Sequence, residues 1–213
     1  GSGYDVIFES DATNLVAGDS NAQRDIFLRT TGTTKTTSLL STKVKAGFVT
    51  QSNGFSGSAS MSGNGRLVTI SNATNLAPLA DNLVLNVMLR TGTSTTTHRL
   101  LNIAGFTAVA HGASDRSNMS PDGRYVVFDS TAKDVANGQQ NLGTDSYLLD
   151  RVTGQMSFVG VRANGLTFAA GTNSPDVSDN GNTIAFHAVA NGDVFSIQQV
   201  WAHDRTSGLT KMA

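Results

Sequence analysis

Polar and apolar positions alternate along this chain in short runs, not in helical stripes. MSPDGRYVVFDS, at 119–130, is a turn followed by four consecutive apolar residues, Tyr125-Val126-Val127-Phe128. Similar units stand at 59–71 (ASMSGNGRLVTIS) and 176–188 (DVSDNGNTIAFHA), and GYDVIFES at 3–10 repeats the second half of the pattern. In SPDG the proline is second and the glycine fourth, as a type I turn prefers. The runs after the turns are rich in β-branched and aromatic residues, which suit a pleated strand. Each unit continues with a second strand (DIFLR, NVMLR, SYLLD, QVWAH). A Thr/Ser-Gly turn leads to a third (TKTTSLL, STTTHRL, QMSFVGV, LTKMA), and a further strand precedes the first turn (GSASMS, DRSNMS, SPDVS). No long 3.6-residue period survives the Gly and Thr content, so helices are not expected.

Two landmarks keep nearly the same period. Gly65, Gly123 and Gly181 are 58 and 58 residues apart, and Gly3 lies 62 before Gly65. Gly32, Gly92, Gly154 and Gly208 follow at 60, 62 and 54. The copies at 3–32 and 123–154 align at a constant offset of 120, with Val6, Phe8, Ser10, Ala12 and Asp25 matching Val126, Phe128, Ser130, Ala132 and Asp145. The repeats divide a single domain at about 3–56, 57–114, 115–173 and 174–213. Four short antiparallel strands in each repeat of about 50–60 residues are the signature of a propeller blade. The predicted fold is all-β, a β-propeller of four-stranded antiparallel blades with about four blades in this chain. YVVF, DVIF and YLL are apolar on consecutive residues, which predicts strands buried on both faces between neighbouring blades.

These residues also resemble a known family, the TolB-type (WD-repeat-like) β-propeller repeats of bacterial envelope and secreted proteins. SPDGRYVVFDS (120–130), ATNLVAGDSN (12–21), DIF (25–27), DRVTG (150–154) and DRTSG (204–208) carry the resemblance, which covers nearly the whole chain. It implies a TolB-like fold and an exported bacterial protein, periplasmic or extracellular. Such propellers are platforms reused for many purposes, so the resemblance points to fold before function. Family members usually close with more blades than this chain carries. Three arrangements answer that difference: a permuted four-bladed ring, a part of a larger ring, or two chains that complete one. An open ring exposes strand edges and apolar end faces, which invite self-association through the end blades.

Composition narrows the functional classes. The 213 residues carry 15 Lys+Arg and 16 Asp+Glu, a net charge of −1, with no block of either sign. Nucleic acid as a partner is not expected, since it calls for a basic patch. Cysteine is absent, which removes disulfides, thiolate metal sites and thiol nucleophiles. No apolar stretch approaches the roughly 18 residues of a membrane span, so membrane insertion is not expected.

Asp19, Asn21 and Asp25 form the pattern D-x-N-x-x-x-D, with oxygen donors at spacings a calcium ion accepts. The same residues also suit turn capping and a bond to a neighbouring blade. The third repeat offers only Asn141 and Asp145 there. Asp150-Arg151 and Asp204-Arg205 precede equivalent turns and read as structural pairs at a blade corner, with a polar binding rim as the alternative. The four histidines, His98, His111, His187 and His203, lack metal-ligand spacing, although His187 and His203 occupy one blade and could approach each other. Trp201 reads as core packing. No G-x-S-x-G, P-loop, H-E-x-x-H or G-x-G-x-x-G motif is present. The leading expectation is a non-enzymatic binding or scaffold module presenting loops to a protein or glycan. The alternatives are a fragment of a propeller hydrolase or polysaccharide lyase, and a structural unit of a large secreted adhesin.

Overall fold

The turn-and-strand units fold as antiparallel sheets. The computed structural model describes residues 4–78, 84–92, 96–101, 103–104, 108–109, 111–136, 143–190 and 197–213. Sheet one joins β1 (Asp5–Ser10), β2 (Asp25–Thr30) and β3 (Thr37–Leu39), and the hairpin β4 (Thr42–Lys45) and β5 (Phe48–Gln51) follows it. Sheet two joins β6 (Ser56–Met61), β7 (Leu67–Ser71), β8 (Asn86–Thr91) and β9 (Thr97–Leu100). A second small hairpin pairs β10 (Ile103–Ala104) with β11 (Ala108–Val109). Sheet three joins β12 (Ser114–Met119), β13 (Tyr125–Ser130), β14 (Asp145–Asp150) and β15 (Met156–Phe158). Sheet four joins β16 (Thr172–Val177), β17 (Thr183–Val189), β18 (Gln198–Asp204) and β19 (Leu209–Met212). Strand order follows chain order in all four sheets, as in propeller blades. Among the described residues there is no helix.

The sheets stack in chain order through apolar cores. Ile7, Ile26 and Leu28 of sheet one meet Leu67 and Met61 of sheet two. Val68, Ile70, Val87 and Leu89 of sheet two meet Val126, Phe128, Tyr147 and Leu149 of sheet three. Tyr125, Val127 and Leu148, on the other face of sheet three, meet Ile184, Phe186 and Ala188. Each middle sheet therefore buries both faces, and β7, β13 and β14 are buried at every position. The expectation for DVIF differs from what is found. β1 is exposed or half-buried throughout, and Val6 is 48% exposed, because no described sheet covers its outer face. β17 alternates for the same reason, burying Ile184, Phe186 and Ala188 and exposing His187.

Two features departed from the glycine landmarks. In sheets three and four the hairpin turn closes with Ser120 N–H on Tyr125 O and Ser178 N–H on Thr183 O, but in sheet two Ser62 N–H reaches Arg66 O, one residue sooner. Leu67 therefore occupies the place of Val126, not that of Tyr125, and faces sheet one. The β4–β5 hairpin was not foreseen. Its turn, Ala46-Gly47, has both φ angles positive (50° and 83°), as a two-residue hairpin turn requires.

Candidate functional site

The innermost strands β6, β12 and β16 carry the same local distortion. Ser58, Arg116 and Ser174 stand at intervals of 58 residues and have φ of 50°, 47° and 54°. Each interrupts the pairing with the next strand, between Gly57 and Ser60, Asp115 and Asn118, and Asn173 and Asp176. A bulge of this kind frees polar groups from the ladder and re-aims them. Here they cross to the next sheet. Ser117 Oγ donates to Ser58 O at 2.9 Å, Met119 N–H to Ser60 Oγ at 3.2 Å, and Asn118 Nδ2 to Asp176 Oδ1 at 2.7 Å. The side chains of Arg116 and Asp176 remain exposed on this face.

Asp129 is the carboxyl beneath the bulge. It is fully buried, accepting Ser146 Oγ–H at 2.8 Å and the Ser174 N–H at 2.8 Å, with Arg116 Nη1 at 3.7 Å. Burial pushes its carboxyl up to about 7, because the bonds from Ser174 and Ser146 and the charge of Arg116 only partly replace lost solvation. A folded-state value above the ordinary 3.8 means that the stability from Asp129 is complete below that pH and is lost as pH rises to about 7. His98, pushed down to about 4, acts in the opposite sense as pH falls from 6.5, so the test is a difference between proteins. The melting temperature of wild type relative to Asp129→Asn is expected to fall between pH 4 and 7. A difference independent of pH would contradict the buried carboxyl.

The structure brings Asp19, Asn21 and Asp25 together, but around an amide that sequence reasoning missed. Gln51 Nε2, at the end of β5, donates to Asp19 Oδ1 at 2.8 Å and Asp25 Oδ2 at 3.0 Å. Its Oε1 accepts the Ser20 N–H at 2.9 Å. Asn21 donates to Ser52 O and accepts from Gln23 N–H, and its side chain also acts on the Asp25 carboxyl. Asp25 is fully buried and also accepts from Ser41 Oγ; burial raises its pKa against these bonds. The Gln51 amide thus stands where a cation bridging both carboxylates would stand, and calcium would require it to turn over. Calcium bound there would raise the melting temperature by mass action and chelator would lower it; an unchanged melt at saturating calcium excludes the metal. Among the described residues no group of three or more His, Cys, Asp or Glu is placed to hold a metal ion. Asn141 lies outside the described residues, and Asp145 is buried.

The other candidates have structural partners. Asp150 accepts the N–H of Val152 and Asp204 that of Thr206, closing the two equivalent turns, while Arg151 and Arg205 donate to Gly123 O and Gly181 O. Arg124 pairs with Asp150 at 2.7 Å and holds its carboxyl well below the usual range. His187 is opposite Val200 and His203 opposite Ile184, three register steps apart, so they do not form a pair. Trp201 packs edge-on against Phe168 at 5.0 Å and donates to Ala188 O.

Comparison with solved structures places this geometry. A protein assigned as TolB from Agrobacterium tumefaciens matches with a TM-score of 0.53 and 16% identity, over 90% of this chain and 56% of that one. The β-propeller domain of the Trilobed protease from Pyrococcus furiosus matches with a TM-score of 0.46 and 12% identity, over 74% of this chain and 41% of that one. This chain therefore spans about half the length of the structures it matches. No family model and no curated protein matches it. The chain has a TolB-like β-propeller fold.

Proposed function

We propose that this chain is a non-enzymatic binding module of an exported bacterial protein, presenting the face of its innermost strands to a protein or glycan. One observation carries the reading: the bulge at Ser58, Arg116 and Ser174 recurs in three sheets, and its freed polar groups bolt each sheet to the next. A face held in this way loses little conformational freedom on binding, which favours affinity. Exposed Arg116 and Asp176 supply a charged pair for recognition. The enzyme alternative would draw on Asp129, the raised carboxyl beside this face, but that side chain is 0% exposed and committed to Ser146 and Ser174. The TolB-like fold and the absence of cysteine suit an exported protein.

The test places a photo-crosslinking residue at position 116 and, separately, at the exposed turn residue Val152. A discrete adduct from bacterial envelope extract, or with an arrayed glycan, is expected from position 116 alone. No adduct, or the same adduct from both positions, would remove the reading. The end sheets add a second contact in the same proposal. Val6 on sheet one and Val200 and Leu209 on sheet four are 48%, 44% and 42% exposed, and a second copy would cover them. Light scattering is expected to show a mass above 22.2 kDa that returns to 22.2 kDa in Val6→Asp; a wild-type monomer excludes self-association.

A further inference from the structure

A cavity of about 650 Å³ opens between sheets one and two. Leu28, Leu40, Val44, Met61 and Leu67 make its walls apolar. The β4–β5 hairpin closes one side and is tied to the start of β9, with Thr96 N–H on Val44 O at 2.9 Å and Val44 N–H on Thr96 Oγ1 at 2.7 Å. The volume falls in the range of small-molecule sites, roughly 300–1,000 Å³.

Arg90 lines this apolar space. It is 8% exposed, and its buried Nε has no hydrogen-bond partner among the described residues. Asp5 is the acid in the lining, and it forms no ion pair with Arg90. The cross-strand neighbour of Arg90 is His98, also 8% exposed, with Nδ1 unpartnered. Burial, Arg90 and Lys43 push His98 down to about 4, so it is neutral at pH 7 and brings no compensating charge. Arg90 and Lys43 both act on His98, and none of the three supplies a negative charge to Arg90.

The position itself does not call for a charge. Arg90 lies opposite Leu67 as Leu149 lies opposite Val126 in sheet three, where leucine completes the core. A guanidinium with its Nε withdrawn from water and unpartnered is unfavourable, and a partner anion is what offsets it. Arginine recognises a carboxylate through two parallel hydrogen bonds.

We propose that this cavity binds a small monoanion, a carboxylate on an apolar tail, with the carboxylate on Arg90 and the tail against Leu28, Leu40, Met61 and Leu67. This site is separate from the polar face of the innermost strands and does not depend on it. A free fatty acid and the free C-terminus of an apolar peptide share this chemistry.

The experiment uses octanoate below its micelle concentration, with methyl octanoate as the neutral control. Octanoate is expected to raise the melting temperature of the wild-type chain, and methyl octanoate is not. A carboxylate beside Arg90 also moves the His98 titration, followed by NMR of the ring, upward from about 4. Arg90→Leu is expected to melt higher than wild type without ligand and to bind octanoate at least about tenfold more weakly. Acetyl-Leu-Leu with a free carboxyl, against its amide, identifies the source. Action by octanoate supports a fatty acid, and action by the free-acid dipeptide alone supports a peptide terminus; the site stands in either case. No response to either carboxylate, or an equal response in Arg90→Leu, overturns it. If that variant does not fold, the His98 titration of wild type decides, and no upward shift with octanoate or the free-acid dipeptide rejects the site.

Discussion

Phe128→Ala is expected to destabilise the chain by about 3–5 kcal/mol, the range for removing a fully buried aromatic ring. Phe128 is 0% exposed and stacks on Tyr147 with centroids 5.8 Å apart; Tyr147 in turn meets Phe158 at 5.9 Å. These rings form the sheet-three side of the core shared with Val68, Ile70, Val87 and Leu89. The cavity left by the ring cannot close without moving one sheet against the next. Total stability of a domain is of order 5–15 kcal/mol, so this one change removes a large part of it. Phe8 is the informative control. It holds the equivalent place and stacks on Phe27 at 5.5 Å, but it is only half-buried. Its replacement by Ala is expected to cost about half as much, since the transfer contribution scales with buried area. Urea unfolding of both variants reads the difference. Equal costs would mean that the outer face of sheet one is covered in solution, which favours the second copy proposed above. A cost below about 1 kcal/mol for Phe128→Ala would mean that these rings do not hold the sheets together.

Gly181→Ala is expected to cost about 3 kcal/mol, combining overpacking of about 1–3 with a left-handed backbone penalty of about 1–2. Gly181 has φ of +70°, and a Cβ there would lie 2.2 Å from Tyr125 Cδ2. The ring cannot easily swing away. Arg124 lies over it at 4.7 Å and Arg205 at 5.0 Å, and Arg205 Nη1 donates to Gly181 O at 2.8 Å. Gly208 separates the two contributions, since its φ is also +70° but nothing lies within 4 Å of its Cβ position. Gly208→Ala is expected to cost only the backbone penalty, about 1–2 kcal/mol. Adding Tyr125→Ser should recover part of the loss in Gly181→Ala but none in Gly208→Ala, as coupling between touching residues requires. Equal costs for the two glycine variants would contradict the close packing of sheet four on Tyr125.

The sequence was most informative where backbone preference acts over a few residues. SPDG and SDNG turn, YVVF and SYLLD extend, and their spacing repeats; from these the four-stranded sheets and the propeller reading follow. Consecutive apolar residues also marked β13 and β14 as buried on both faces. The same rule failed for DVIF, because burial of a second face depends on whether another sheet stands there. The glycine spacing does not reveal the place of Leu67, because Gly65 and Gly123 look alike while their turns close one residue apart. That single step put Arg90, not an aliphatic residue, against sheet one.

The polar sites were less legible for a related reason. Asp19 and Asp25 were visible as oxygen donors, but Gln51, which joins them, lies 32 and 26 residues away and belongs to no motif. Asp129 looked like one more residue of VVFDS, and only sheet four, through the Ser174 N–H, makes it a buried acceptor. The sequence by itself determined the strands, the turns and their repetition, because these rest on the φ/ψ preferences of adjacent residues. The tertiary structure alone decided which faces are covered, which carboxyls are buried and that Arg90 Nε lacks a partner among the described residues. Solvation and pairing depend on groups brought close from distant parts of the chain, and local pattern carries no record of them.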